Sequence, residues 1–163
     1  MQPVSTLPAE IARDLIGLFT DIDDTITTEG QRIDVHAHCV FPEVTQRLPN
    51  ARAPRVAPPT LVLGPERFKS MDERGIDIQA LSVNTYWWYS ADRELARGIV
   101  AIHDEGLSAW CKQHPDRFVF LSSPALQFPE LAAEQLEHAV KNLDARGASI
   151  GGHVENEPPS SAK

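Results

Sequence analysis

The chain has few cysteines, no excess of positive charge and no long hydrophobic run, and each shortage removes a class of protein. Cys39 and Cys111 are its only cysteines. Two lone thiols fit a reducing compartment better than a disulfide framework. Lys and Arg number 15 against 23 Asp and Glu, a formal net charge of -8. That balance argues against nucleic acid or an anionic membrane as the main partner. No apolar run approaches the roughly 18 residues of a membrane span. The opening Met1-Gln2-Pro3-Val4 shows no basic region followed by an apolar one, so no secretory signal is read and the cytoplasm is the expected location. No internal repeat is visible. What remains is a chain of 163 residues, 42% hydrophobic and 23% charged, which suits one soluble globular domain.

The most informative stretch is Ile33-Asp34-Val35-His36-Ala37-His38. Side chains in a strand alternate faces, so His36 and His38 should project to the same side, about 7 Å apart along the strand. Two neutral imidazoles on one face can close on a single Zn²⁺ at about 2.0–2.1 Å per bond. The plainer alternative is a pair of surface or merely hydrogen-bonded histidines.

From Ile33 onward, strands and helices alternate. Residues 33–38 read as a strand. A long connection from Cys39 to Gly64 carries Pro42, Pro49, Pro54, Pro58 and Pro59, which preclude a continuous helix or a central strand. Pro65 suits the start of a helix through Arg74, with Gly75 as its stop. Residues 76–83 form a second apolar strand. A long helix follows over about 90–114, capped by Ser90 or Asp92, with Leu95, Ile99, Ile102 and Trp110 on its buried stripe. Residues 117–122 give a third strand. Pro129 opens another helix, to about 145, with Leu131, Leu136, Ala139, Val140 and Leu143 at helical spacing and Gly147 beyond its end. Residues 148–151 read as a short fourth strand. This alternation predicts βαβ units and a parallel sheet. His103 and His138 lie within helices and are expected at the surface.

In this order, five phrases resemble the amidohydrolase-related metalloenzymes of the aminocarboxymuconate-semialdehyde decarboxylase type. They are Ile33-Asp-Val-His-Ala-His38, Arg67-Phe-Lys-Ser-Met-Asp-Glu-Arg-Gly75, Gln79-Ala-Leu-Ser82, His114-Pro-Asp-Arg-Phe118 and Gly147-Ala-Ser-Ile-Gly-Gly-His-Val154. The resemblance runs over residues 32–157. It implies a (β/α)8 TIM barrel with a divalent metal, zinc being expected, at the carboxyl ends of the strands. His36 and His38 match the first two ligands; a His from a middle strand and an Asp from the last would complete the site. Such a barrel needs about 250 residues, whereas this stretch has about 125 and covers the first four βα units. The expectation is therefore a truncated member of the family. Its complete relatives would carry out non-oxidative decarboxylation, or hydrolysis, of small carboxylate substrates through the metal. The chain by itself is expected to be inactive and to self-associate through the open barrel edge; a non-catalytic half-barrel remnant or interaction module is the alternative.

Substrate-binding candidates sit at the same rim. Arg52 and Arg55, in the proline-rich loop, could hold a carboxylate bidentately, although two exposed loop arginines are the simpler reading. Trp87 and Trp88, within Tyr86-Trp87-Trp88-Tyr89, could line a pocket for a planar substrate; the plainer reading, compatible with it, is that at least one packs between helices. His153, just beyond the fourth strand, could approach the rim, with a solvated loop histidine as the preferred reading.

Residues 1–31 differ in character. Gly17-Leu-Phe-Thr-Asp-Ile-Asp-Asp-Thr-Ile-Thr-Thr-Glu-Gly30 resembles the first motif of haloacid dehalogenase-like phosphatases. The resemblance implies Asp21 as nucleophile and Asp23 as acid/base, with Mg²⁺. The later motifs of that superfamily are not found at the expected spacing, and an acidic turn is the preferred reading. Residues 158–163 read as a polar, proline-rich disordered tail.

Overall fold

The computed structural model describes residues 25–28, 30–45, 58–83 and 88–154. Four strands form one sheet in the order β1-β2-β3-β4: β1 Thr25–Thr28, β2 Gln31–His38, β3 Ile78–Ser82 and β4 Phe118–Phe120. β2, β3 and β4 are parallel, as the strand–helix alternation predicts. β1 is not among the strands read from the sequence. It pairs antiparallel with the first half of β2, Thr25 opposite Asp34 and Thr28 opposite Gln31. The hairpin turns through Gly30, whose φ of +85° is open to glycine and strained for other residues.

The helices are α1 Pro42–Thr45, α2 Pro65–Arg74, α3 Arg93–Gln113 and α4 Pro129–Leu143, with a 3-10 turn at Pro59–Leu61. Their ends follow local chemistry. Pro65 and Pro129 occupy first-turn positions, where a missing N–H costs nothing. The Asp92 side chain accepts from the Leu95 N–H at 2.9 Å and caps α3, so the helix starts at Arg93. Gly75 closes α2 in the left-handed conformation. α4 stops earlier than expected because Asp144, at φ 66°, takes the left-handed position ahead of Gly147. The fourth predicted strand shrinks to a single parallel bridge, Ser122 to Ala148.

The core lies between the sheet and the helices and includes Met71, Leu81, Trp88, Ile99, Leu107, Phe118, Phe120 and Leu131. His103 corrects the expectation of a surface residue. It lies on the buried stripe of α3, 1% exposed, with ring centroids 4.9 Å from Trp88 and 5.4 Å from Phe41. Burial pushes its pKa down to about 3, so the imidazole is neutral. His138 is exposed. Gly106 gives the Phe41 ring its place, since a Cβ there would meet Cε1 of Phe41 at 2.3 Å. Beside His103, Asp104 is 3% exposed and accepts from the Ser122 hydroxyl at 2.7 Å. It borders a cavity of about 310 Å³ between α3 and α4, with Gln135 and His138. Val140 is exposed rather than buried; with Val62 it is the only large apolar residue so exposed among the described residues. Among those residues no helix is long and apolar enough to cross a membrane.

Candidate metal centre

The two histidines end β2, and the chain delivers them with a local irregularity. Asp34 pairs with Gln79 and Ala37 with Leu81, so two residues, Val35 and His36, stand against Ala80 alone. This is a β-bulge, which bends a strand and re-aims side chains. Neighbours paired across a sheet share a face. Asp34 and Ala37 therefore lie on the face of Gln79 and Leu81, and His38 lies with Ser82 on the other. The imidazoles of His36 and His38 meet edge to face, their Nε2 atoms 2.7 Å apart and their ring centroids 4.4 Å apart. Nδ1 of His38 lies 3.1 Å from the Ser82 hydroxyl. With its proton on Nδ1, directed at Ser82, His38 turns its Nε2 lone pair towards His36 Nε2, at hydrogen-bond distance.

Two donors bound side by side to one ion, at about 2.0–2.2 Å each, stand about 3 Å apart. The Nε2 pair approaches that spacing and so fits as two ligands of a divalent metal. Among the described residues no group of three or more His, Cys, Asp or Glu side chains is placed to hold an ion. Further ligands would have to come from elsewhere. Cys39, next in sequence, is fully buried, and its thiol is pushed up to about 12 chiefly by that burial.

A cavity of about 200 Å³ opens beside the pair, bordered by Asp34, His36, His38, Arg67 and Gln79 among others. Arg67 and Gln79 are each 3% exposed. Arg67 Nη1 donates to Gln79 Oε1 at 3.0 Å and Nη2 to the His38 carbonyl at 2.6 Å. Gln79 Nε2 donates to Asp34 Oδ2 at 2.9 Å, and the His36 N–H to Asp34 Oδ1 at 3.1 Å. Sequence reasoning misses Arg67 and Gln79 as site residues, although the sequence carries a signal for both. An Arg on the apolar face of α2, and a Gln inside Ile-Gln-Ala-Leu-Ser, are polar groups where burial is expected.

Trp88 is fully buried in the core. His153 is exposed. Arg52, Arg55, Trp87, Asp21 and Asp23 lie outside the described residues.

A family model described as Amidohydrolase matches residues 33–163. The gamma-resorcylate decarboxylase of Rhizobium sp. (strain MTP-10005) is 34% identical over 87 residues, covering 53% of this chain and 27% of that protein. A solved structure of 2,6-dihydroxybenzoate decarboxylase, complexed with 2,6-dihydroxybenzoate, superposes with a TM-score of 0.64 at 26% identity. The match covers 80% of this chain and 42% of the other. A dihydroxybenzoic acid decarboxylase from Polaromonas sp. JS666, with bound manganese and the inhibitor 2-nitroresorcinol, gives a TM-score of 0.62 at 27% identity. That match covers 75% of this chain and 38% of the other. The chain spans about a quarter to a third of the length of the curated relatives it matches. The fold is an incomplete (β/α)8 barrel comprising its first units. None of these matches supports the phosphatase resemblance of residues 17–30.

Proposed function

Because the chain belongs to the amidohydrolase family, we propose that it supplies the first-strand half of a divalent-metal site in a protein that decarboxylates a small aromatic carboxylate. The observation that carries this is the meeting of the His36 and His38 Nε2 atoms at 2.7 Å at the end of a barrel strand. When bound, the metal would supply Lewis acidity to a substrate oxygen or to a water, without redox chemistry. His36 and His38 would hold it, and the Ser82 hydroxyl would keep His38 in the tautomer whose Nε2 lone pair can bind. The substrate class follows from the relatives, among them the enzyme solved with 2,6-dihydroxybenzoate.

Manganese is the first ion to test, since the Polaromonas structure holds it; the zinc expected from the sequence is the comparison. Residues 32–157 make up the barrel portion in this reading. The two free cysteines support a cytoplasmic location. We expect self-association through the open edge of the barrel, read by light-scattering mass, and no turnover of 2,6-dihydroxybenzoate by the chain alone.

Manganese titration followed by electron paramagnetic resonance tests the site. The chain should bind Mn²⁺ more weakly than a four-ligand structural site binds zinc. The His36→Ala/His38→Ala variant should not bind it. Unchanged metal content in that variant would place the site elsewhere, and decarboxylation by the isolated chain would overturn its inactivity.

A further inference from the structure

Resting on that reading of the histidines, we propose that Arg67, Gln79 and Asp34 are positioning residues: a hydrogen-bonded brace that sets the aim of the metal-binding pair. The three side chains close a circuit around the bulge. It starts at the His36 N–H, which donates to Asp34 Oδ1 at 3.1 Å. It passes from Asp34 Oδ2 to Gln79 Nε2 at 2.9 Å, then from Gln79 Oε1 to Arg67 Nη1 at 3.0 Å. It ends at the His38 carbonyl, which accepts from Arg67 Nη2 at 2.6 Å. One end holds the amide of the first histidine and the other the carbonyl of the second.

The brace stands where the sheet cannot do this work. Pairing between β2 and β3 is interrupted between Asp34 and Ala37. Among the described residues, the antiparallel partner β1 pairs no further along β2 than Asp34. The circuit spans that gap. Its polarity is fixed by chemistry: a guanidinium only donates and a carboxylate only accepts, so Gln79 must turn its oxygen to Arg67 and its nitrogen to Asp34. Stability alone gives no reason for a buried guanidinium here, because an apolar side chain would fill the space without desolvating a charge. Arg67 Nε has no hydrogen-bond partner among the described residues, and burial is the main cause lowering the pKa of the group. Arg67 holds the His38 carbonyl, and Gln79 holds the Asp34 carboxylate that accepts from the His36 N–H, so their influence on a bound ion passes through the backbone of β2.

The circuit has a reciprocal test. Asp34→Asn alone sets the new amide NH₂ against Gln79 Nε2, and any flip of Gln79 then turns a donor towards Arg67. Gln79→Glu alone sets two carboxylates against each other. The double variant restores every bond with net charge unchanged. The introduced amide at position 34 accepts from the His36 N–H through its oxygen and donates through its nitrogen to the introduced carboxylate at position 79. That carboxylate in turn accepts from Arg67. Manganese affinity of the full chain, by electron paramagnetic resonance, should fall about tenfold in each single variant and return to within about twofold of wild type in the double. The Mn²⁺ line shape should change in the singles and revert in the double; thermal melts record folding separately. Unaltered affinity in both singles, or a double variant no better than either, would overturn the brace. The His36→Ala/His38→Ala variant serves as reference. If it loses manganese while the singles bind normally, the brace alone fails. If it keeps manganese, both readings fail.

Discussion

Replacing Asp104 by Asn should change how stability depends on pH. Asp104 sits in the middle of α3, 3% exposed, with one oxygen on the Ser122 hydroxyl and, among the described residues, no hydrogen-bond partner for Oδ1. Burial raises its pKa from 3.8 to about 7, against the Ser122 bond, which pulls it down. The native carboxyl thus keeps its proton to about pH 7, whereas the unfolded chain releases it near 3.8. Between those values the native state binds more protons, so stability falls as pH rises through that window. A tenfold change in a protonation constant is about 1.4 kcal/mol, which sets an upper bound of about 4 kcal/mol on the loss by pH 8.

His103, the preceding residue, has the opposite sign. Its pKa is lowered from 6.5 to about 3 by burial, so protons taken up by the unfolded chain reduce stability as pH falls from about 6.5 towards 3. Over about pH 4–6.5 the two slopes cancel, and these two groups together leave the wild type nearly level there. Asp104→Asn removes one slope. Its urea midpoint should climb from pH 4 to 6.5 while that of the wild type stays nearly flat. At pH 8, after about 1–3 kcal/mol for burying the unpaired amide NH₂, the variant should be the more stable, by at most about 1–3 kcal/mol. A variant whose pH profile parallels that of the wild type would show that Asp104 is ionised in the native protein, and would refute the argument.

Two further outcomes can be checked directly. Gly106→Ala places a methyl 2.3 Å from the Phe41 ring; the overpacking should lower stability by about 1–3 kcal/mol, against a helix-propensity gain of at most about 1. A thermal melt reads the balance, and an unchanged or raised midpoint would mean that Phe41 moves aside freely. Hydrolysis of a simple phosphate ester should be undetectable, and Asp21→Asn should leave it so; turnover lost in that variant would revive the phosphatase resemblance.

Much of the fold is legible because it is written in local chemistry. Pro65, Gly75, Asp92 and Pro129 mark helix ends by what they lack, tolerate or accept. His103 is legible too: at four-residue spacing from both Ile99 and Leu107 it belongs to the buried stripe of α3, and the chemical identity of histidine hides that position. β1 is not, because a four-residue, threonine-rich strand next to an acidic motif carries little hydrophobic alternation. The fourth strand is shorter than its apolar residues suggest, because a short apolar stretch can settle for a single bridge. In the candidate site, the histidines announce themselves by strand alternation. The bulge between Asp34 and Ala37 does not, because it is a property of how two strands are paired and neither strand encodes it alone.

That bulge also bears on how the strand tolerates changes of length. In a regular ladder, inserting or deleting one residue turns every side chain beyond it to the opposite face. Here the extra residue is absorbed between Asp34 and Ala37, and Ala37 and His38 are back in step with Leu81 and Ser82. Removing Val35 would leave the histidines opposite Ala80 and Ser82, on one face of an unkinked strand. The site could therefore lose a residue at this point and keep both imidazoles, and alignments of this strand need a gap allowed between the aspartate and the first histidine.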